Sequence, residues 1–346
     1  MWNVYGLGPA GSSFILALKQ PVYAYDPLWV KYGRLRSACA GGLGFYAIDK
    51  IVKYLPEASE AINKATATVF KEFEYVGVNC KVLITADDLR LKYLGVIMDR
   101  EVFDKELADM ANKYVEDLIT SKTLKDGKVV IATGFTDMPE VSDSDKEVLL
   151  QYWVETEDVT PVVRISFIKD YLKSGYYWEF PEVKNGLVKV GIGVSCKELM
   201  ERRVNTDYIL RKFMSRFNVK GKVIKASSAL LPLAKWRETH MFRDGKIHIG
   251  TAGGFVNPAT GAGIMYAILS GVAVARNDFG LIKELAKEIN RFYRVKQLIT
   301  LAPQRVVDKA ICSLVENMDK LDLKNLYGFK NYATVITSFI VSLIKF

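Results

Sequence analysis

Cysteine and histidine are scarce in this chain of 346 residues, and no apolar run reaches the ~20 residues that a membrane-spanning helix needs. The four cysteines, at positions 39, 80, 196 and 312, form no Cys-x-x-Cys pair and show no spacing typical of a metal knuckle or a disulfide framework. This pattern predicts reduced thiols and a cytoplasmic setting. The only histidines are His240 and His248, and His248 lies in an alternating, strand-like stretch. A histidine-based metal site or catalytic triad is therefore not expected.

The chain also lacks a recognisable leader and any nucleic-acid-binding motif. The first strand begins almost at Met1 without a charged n-region, so no signal peptide is expected. The closing apolar run, Ala333 to Ile344, is too short to span a bilayer and predicts an amphipathic or docking helix. No basic cluster interleaved with aromatics is present, so nucleic acid is not an expected partner.

The net charge of +9 indicates anionic partners. Much of it lies in the last segment, Leu281 to Phe346, which carries 11 Lys or Arg against 6 Asp or Glu. This excess favours peripheral contact with an anionic membrane surface.

The pattern of apolar residues predicts a mixed α/β fold. It predicts a strand from Trp2 to Tyr5, a helix from Ser12 to Lys19 and a second strand from Val22 to Asp26. Together these three elements make a βαβ unit. Helical patterns follow from Tyr46 to about Phe70 and from Arg100 to about Ser121. Strand-like stretches from about 145 to 235 favour an antiparallel sheet, and the chain reads as helical from Leu281 onwards.

We therefore expect a Rossmann-like domain interwoven with an antiparallel-sheet domain and followed by a helical tail. The dinucleotide-binding domain is assigned to residues 1–50, 85–140 and 240–280. The substrate-binding domain is assigned to 51–84 and 141–239, and the C-terminal helical region to 281–346.

The segment Gly6-Leu7-Gly8-Pro9-Ala10-Gly11 is a G-x-G-x-x-G fingerprint between a strand and a helix. In such a segment the first glycine permits the tight turn, the second lets a pyrophosphate approach the backbone, and the third lets helix and strand pack closely. Asp26, at the end of the second strand, is expected to accept a hydrogen bond from an adenosine ribose hydroxyl.

Two further glycine clusters predict that the dinucleotide is a flavin. Cys39-Ala40-Gly41-Gly42-Leu43-Gly44 offers a backbone that a flat ring can approach, with Cys39 either facing that ring or lying inert beside the loop. The segment from Gly250 to Gly263 follows a strand and precedes a helix, and so offers a second place for phosphate or ribityl contacts. Sites supplied from both ends of the chain are characteristic of flavin folds that close around FAD.

These segments together resemble the geranylgeranyl reductase family of flavoproteins, which share the p-hydroxybenzoate hydroxylase-type fold. The most specific match is Tyr176-Tyr177-Trp178-Glu179-Phe180-Pro181 followed by Gly191-Ile192-Gly193, which is similar to the signature that lines the family's prenyl cavity. Met98 to Asp104 looks like the family's helix entry, in which Arg100 would lie near the cofactor. The segment from Gly253 to Gly263, with Asn257-Pro258 inside it, looks like the part that holds the ribityl and pyrophosphate groups.

The resemblance implies a set of site residues. The cofactor would be FAD, held by Gly6, Gly8, Pro9, Ala10, Gly11, Asp26, Cys39, Ala40, Gly42, Arg100, Ala132, Gly134, Thr251, Gly253, Gly254, Gly261, Gly263 and Ile264. The substrate would contact Tyr176, Trp178, Phe180, Pro181, Asn257 and Pro258.

Two positions depart from the family's pattern. Thr251 stands where members usually have Asp, so a charge-assisted bond to the ribityl chain, worth ~1 kcal/mol, is lost. Ala132-Thr133-Gly134 stands where related proteins often carry Ala-Asp-Gly.

The resemblance implies reduction of isoprenoid carbon–carbon double bonds in membrane lipids or their precursors, with NAD(P)H or ferredoxin as the electron donor. The rings of Tyr176, Trp178 and Phe180 fall on one face of a strand, where they would wall an apolar tunnel. Cys39 is the candidate for proton transfer or for shaping the flavin face, because no histidine or paired carboxylate is placed to compete. A flavin monooxygenase or dehydrogenase acting on another hydrophobic substrate, and a non-catalytic flavin or prenyl-lipid binding protein, remain as alternatives.

Overall fold

The computed structural model describes residues 1–32, 39–118 and 126–315. The closing apolar run, Ala333 to Ile344, lies outside these residues. The mixed α/β class predicted from the sequence is confirmed.

The first sheet carries the βαβ unit and is mostly parallel. Its order across the described residues is β15 (Phe242–Arg243), β16 (Lys246–His248), β9 (Lys128–Ile131), β1 (Trp2–Tyr5), β2 (Val22–Tyr25) and β8 (Val115–Leu118). Apart from the antiparallel β15–β16 pair, neighbouring strands run parallel. The strand order of the parallel part, with β1 at the centre and the chain moving first to one side and then to the other, is that of dinucleotide-binding sheets.

Apolar helices pack around this parallel sheet and form the largest core. They are α1 (Pro9–Leu18), α3 (Phe45–Tyr54), α4 (Ala58–Ala65), α5 (Arg100–Asn112), α9 (Ile264–Ala275) and the first half of α10 (Phe279–Leu301). α1 and α9 pack so closely that a Cβ at Gly271 would come within 2.4 Å of the Ala10 carbonyl oxygen. α2 (Pro27–Tyr32) follows β2 directly.

A small antiparallel sheet joins the parallel sheet to the larger one. Its strands are β3 (Gly42–Gly44), β7 (Gly95–Met98) and β4 (Thr66–Phe70), with β7 in the middle. The side chain of Asp99 caps α5 by accepting from the amides of Glu101 and Val102, so that helix begins immediately after β7.

The second large sheet is mostly antiparallel. Its order across the described residues is β14 (Lys222–Pro232), β10 (Lys146–Glu155), β13 (Leu187–Ser195), β12 (Tyr177–Glu182), β11 (Val162–Ser166), β5 (Glu72–Val76) and β6 (Lys81–Thr85). α6 (Cys196–Arg202) and α7 (Thr206–Arg216) lie on one face, where Phe213 stacks on Tyr177 with the ring centres 4.8 Å apart. The second half of α10 and α11 (Gln304–Val315) pack on the other face. The short helix α8 (Glu238–Met241) precedes β15.

Two sequence-based boundaries were wrong. The helical stretch predicted from Tyr46 to about Phe70 is divided into two helices, α3 and α4, and it ends at Ala65, where the chain continues as β4. The helix predicted from Arg100 ends at Asn112 and is followed by β8, an edge strand whose polar sequence has the composition of a helix surface. The rest of that predicted helix, 119–121, lies outside the described residues.

The prediction of reduced thiols was wrong for two of the four cysteines, because Cys80 and Cys312 form a disulfide. Their Cα atoms lie 6.6 Å apart although 232 residues separate them in sequence, so spacing alone could not reveal the pair. The bond ties α11 to the β5–β6 hairpin beside Asp308, whose carboxylate accepts from Tyr75 and from the amides of Val78 and Asn79. Cys39 and Cys196 are free thiols.

Among the described helices, none combines the length and the apolar character needed to cross a bilayer.

Candidate functional site

A cavity of about 1220 Å³ is lined by the parallel sheet, the antiparallel sheet and α10. Small-molecule pockets usually measure about 300–1,000 Å³. This cavity therefore has room for a cofactor together with a second ligand.

The carboxyl ends of four parallel strands open into the cavity. Gly6 follows β1, Asp26 follows β2, Ala132 follows β9, and Gly250 comes shortly after β16. In open α/β sheets a ligand binds outside these strand ends, where the strand order changes direction.

The glycine loop, Gly6 to Gly11, has the geometry that the fingerprint predicts. Gly6 has a φ of +98°, and a Cβ there would lie 2.5 Å from the carbonyl oxygen of Ala132. A Cβ at Gly11 would lie 1.9 Å from the Gly6 carbonyl oxygen, so the helix could not pack this closely with any side chain at that position. A Cβ at Gly8 would meet nothing within 4 Å and would project into the cavity. The amide groups at the start of α1 are therefore open to an anion.

Asp26 holds this loop in place. Its carboxylate accepts from the amide of Leu7 at 3.0 Å and from the amides of Leu28 and Trp29 at 3.0 and 3.1 Å. Asp26 thereby ties the glycine loop to the first turn of α2, and it is also one of the residues that line the cavity. The predicted bond to a ribose hydroxyl remains a prediction.

The Cys39–Gly42 loop enters the cavity beside a buried arginine. The Cys39 thiol accepts from the amide of Gly41 at 3.4 Å and contacts the guanidinium of Arg100. Arg100 forms a bidentate pair with Asp104 at 2.7 to 3.1 Å. Burial lowers the pKa of Arg100, but the Asp104 carboxylate outweighs it and raises the pKa further, so this group stays positively charged beside the thiol.

Lys189, on β13, fastens the same loop to the antiparallel sheet. Its ammonium donates to the carbonyls of Ala40 and Met98 at 3.1 and 3.0 Å and pairs with the Glu182 carboxylate. Lys189 and Glu182 are 2% and 3% exposed, so the pair is fully desolvated. Burial lowers the pKa of Lys189 against the attraction of Glu182.

The glycine-rich segment after β16 supplies a third wall. Thr251 lies in a 3-10 turn, Gly250–Gly253, and faces the cavity. Asn257 accepts from the amides of Ala259 and Thr260, and this turn leads to the N-terminus of α9. A Cβ at Gly263, the residue before α9, would meet nothing within 4 Å, so this helix start is also open to a ligand.

The aromatic row lines the opposite side of the cavity. The rings of Tyr176 and Trp178 meet edge to face at 5.8 Å, and Phe180 packs on the Cys39–Gly42 loop, where a Cβ at Gly42 would lie 2.7 Å from its ring. A Cβ at Gly191 would lie 2.2 Å from the indole of Trp178, so this glycine makes room for the ring. The antiparallel sheet therefore offers a large apolar surface to the cavity.

The structure brings nearly all of the predicted cofactor and substrate residues to this one cavity. The exceptions are Gly11, Pro181, Gly253 and Gly254, which do not line it. Gly11 serves helix packing, and Pro181 is buried within β12. Gly253 and Gly254 shape the turn: a Cβ at Gly253 would lie 2.3 Å from the His248 carbonyl oxygen, and Gly254 has a φ of +73°.

Sequence reasoning missed Glu147, Lys189 and the inner face of α10. Glu147 lines the cavity and is 5% exposed, and burial raises its pKa to about 7. Glu147 is therefore an acid in the cavity that the sequence analysis did not name beside Cys39. In the sequence, Glu147 is only a Glu at the start of a β-rich stretch. Glu is ordinarily exposed, so this position gives no sign that its side chain is buried.

The comparisons with known proteins agree with this geometry. The chain is 22% identical to the digeranylgeranylglycerophospholipid reductase of Methanocella arvoryzae, with 96% of this chain and 95% of the relative covered. A geranylgeranyl bacteriochlorophyll reductase-like structure from Thermoplasma acidophilum superposes with a TM-score of 0.76 at 20% identity, covering 98% of this chain and 95% of the other. A flavoprotein/dehydrogenase from Cytophaga hutchinsonii superposes with a TM-score of 0.64 at 13% identity, covering 99% and 98%.

No protein-family model matches the chain. The likeness nevertheless extends over nearly the whole length of both a curated relative and a solved structure. The resemblance predicted from the motifs is confirmed, and the chain is related in sequence and in fold to the geranylgeranyl reductase flavoproteins.

Proposed function

We propose that the chain binds FAD and reduces carbon–carbon double bonds of isoprenoid chains carried by lipids. The observation that carries this proposal is one cavity that joins open helix N-termini on one side to a row of aromatic rings on the other. The relatedness to digeranylgeranylglycerophospholipid reductases supports the choice of substrate class.

The residues present fit FAD. Gly8, Pro9 and Ala10 would hold the diphosphate at the start of α1, where Gly8 leaves the approach open. Asp26 would face the adenosine ribose, and Thr251 with the Gly263 amide would face the ribityl chain. When bound, the flavin supplies a hydride to the substrate alkene.

The side chains of the cavity would orient the alkene and exclude water from it. Trp178 and Phe180 are buried and apolar, and the ring of Tyr176 beside them is partly buried, so this row favours a prenyl chain over a polar substrate. Arg100 stays charged next to Cys39, and the thiol faces the cavity at its entrance. We propose that Cys39 delivers a proton to the second alkene carbon.

The experiment is a visible spectrum followed by a turnover assay. The purified protein should carry an oxidised flavin spectrum, lose it on anaerobic reduction with dithionite, and recover it on addition of digeranylgeranylglycerophospholipid. The product should be heavier by two hydrogen atoms for each double bond reduced. Oxygen-dependent consumption of NADPH would instead favour a monooxygenase, and colourless protein that binds the lipid would favour a non-catalytic binder.

Replacing Cys39 tests its role separately. Cys39→Ala should keep the flavin, because the contacts of the loop to Lys189 run through backbone carbonyls, and should lower the reoxidation rate about 100-fold. Cys39→Ser is the matched control for size. An unchanged rate in Cys39→Ala would remove the thiol from the mechanism.

A further inference from the structure

The cavity contains a buried carboxyl group with no hydrogen-bond partner among residues 1–32, 39–118 and 126–315. It belongs to Glu147, the second residue of β10, which is 5% exposed. The residue lines the same cavity as Cys39 and Tyr176. Burying such a group in its charged form costs several kcal/mol unless a partner compensates the charge.

Two glycines make the space that this carboxyl occupies. A Cβ at Gly193, on the neighbouring strand β13, would lie 2.2 Å from Glu147 Oε1. A Cβ at Gly175, just before Tyr176, would lie 2.8 Å from the same oxygen, and Gly175 has a φ of +79°. The position of the carboxyl is therefore built into the strand β13 and into the bend that precedes β12.

Several charged or titratable groups face Glu147. Lys296 approaches from α10, where it is already tied to Asp145 at 3.6 Å and to the carbonyls of Ser144 and Leu233. Glu198 and Cys196 on α6, and Tyr176 at the start of the aromatic row, also lie close enough to interact with it electrostatically.

Glu198 is a second carboxyl group near Glu147, but its hydrogen bonds differ. Its carboxylate accepts from the hydroxyl and amide of Ser174 and from the amide of Lys173, and these bonds lower its pKa despite burial. Glu147 has no such bonds, and burial outweighs the attraction of Lys296, so its pKa rises to about 7. At neutral pH one carboxyl is a structural anion and the other retains a proton for part of the time.

Tyr176 lies near both this acid and the thiol. The pKa of its hydroxyl is raised by burial and by the neighbouring Glu147 and Cys39, so the ring lies within electrostatic reach of both. The hydroxyl donates to the carbonyl of Thr260 and stays protonated.

We propose that Glu147 is the internal acid of the cavity and holds the proton that each reduced double bond consumes; this role rests on the proposed function. Reduction breaks the π bond and forms two C–H bonds, one from a hydride and one from a proton. The S–H bond of Cys39 breaks as its proton reaches the second carbon, and the O–H bond of Glu147 then breaks to return a proton to the thiolate. The carboxylate that remains faces the Lys296 ammonium until a proton from solvent restores the acid.

Glu147→Gln is the informative variant, because it keeps the shape of the side chain and removes the transferable proton. Glu155→Gln is the matched control, since it makes the same change at the exposed end of the same strand. Circular dichroism and flavin content should be the same in all three proteins.

The first readout does not depend on turnover. Infrared difference spectra between about pH 5 and about pH 9 should show the C=O band of a protonated carboxyl in the wild type and in Glu155→Gln, with a midpoint near the raised pKa of about 7. Glu147→Gln should lack this band. A Glu147 that is already ionised at about pH 5 would overturn the proposal.

The second readout is the rate at which digeranylgeranylglycerophospholipid reoxidises the reduced protein. The wild-type rate should fall as pH rises through about 7, because the acid form of Glu147 is lost. Glu147→Gln should be about 100-fold slower and should not show this inflection.

Two outcomes would contradict the proposal for Glu147 while the proposed function stands. In both, the wild type turns over, and Glu147→Gln either keeps the rate and the inflection or changes only in a higher KM. If the wild type itself does not reduce the lipid, both proposals fail.

Discussion

The two walls of the cavity are built in different ways. The edge of the parallel sheet presents backbone and small residues at helix starts, such as Gly8, Ala10 and Gly263, and is called the backbone wall below. The antiparallel sheet presents large or ionisable side chains, such as Glu147, Tyr176 and Trp178, and is called the side-chain wall. One wall suits a ligand recognised through its phosphates, and the other suits a ligand that is oriented by shape.

The strongest test of this comparison is to block the backbone wall without disturbing the fold. Gly8 has a φ of −65°, and a Cβ there meets no protein atom, so Gly8→Val should fold normally. The added isopropyl group would occupy the diphosphate approach and should weaken flavin binding by about 100-fold or more. Flavin absorbance per mole of protein measures the loss. A yellow variant with normal stoichiometry would overturn the assignment of this wall to the cofactor.

Gly11→Val is the matched comparison. Its Cβ would lie 1.9 Å from the Gly6 carbonyl oxygen, so this variant should lose thermal stability together with flavin. Gly8→Val should lose flavin alone. If both variants melt at the same reduced temperature, the glycine loop has only a structural role.

The next test acts on the joint between the walls. Lys189 extends from the antiparallel sheet to the carbonyls of Ala40 and Met98, and its removal would leave the Glu182 carboxylate buried and unpaired. Lys189→Met should lower the free energy of unfolding by about 3–5 kcal/mol, as measured in urea. It should also weaken flavin binding, because the Cys39–Gly42 loop loses its anchor.

The double variant Lys189→Met/Glu182→Gln sharpens this result. It removes the buried negative charge, so it should recover much of the lost stability. It should not recover flavin binding, since the two carbonyls still lack their donor. Full recovery of both would show that the pair does not position the loop.

The backbone wall is the part that sequence predicts well. A glycine that needs a positive φ or a close approach, such as Gly6 or Gly11, has almost no substitute, so the requirement is visible in the sequence itself. The position of Asp26 could be predicted for a similar reason, since an acidic residue at the end of the second strand has a fixed place in this fold. The parallel sheet and the glycine loop were accordingly predicted close to where they lie.

The side-chain wall depends on which strands pair, and local patterns do not contain that information. Glu147 becomes a cavity acid only because β10 lies beside β13, which brings Gly193 under its carboxyl. Lys189 and the Cys80–Cys312 bond likewise connect segments that are 149 and 232 residues apart. Residues of these types are ordinarily exposed or free, so sequence reasoning assigned them no role.

Thr251 offers the smallest and most discriminating test, because it lies on the backbone wall where a side chain is expected to act. It faces the cavity from the 3-10 turn after β16, at the position where the related family usually has Asp. A carboxylate there would accept a charge-assisted bond from a ribityl hydroxyl, whereas the Thr hydroxyl makes a neutral one.

Thr251→Asp should therefore tighten FAD binding about fivefold, or ~1 kcal/mol, when the apoprotein is titrated calorimetrically. Thr251→Asn, which adds a similar volume without the charge, should show little gain. Equal tightening by Asp and Asn would mean that shape rather than charge limits this contact, and weaker binding by Asp would place the diphosphate instead of the ribityl chain beside residue 251.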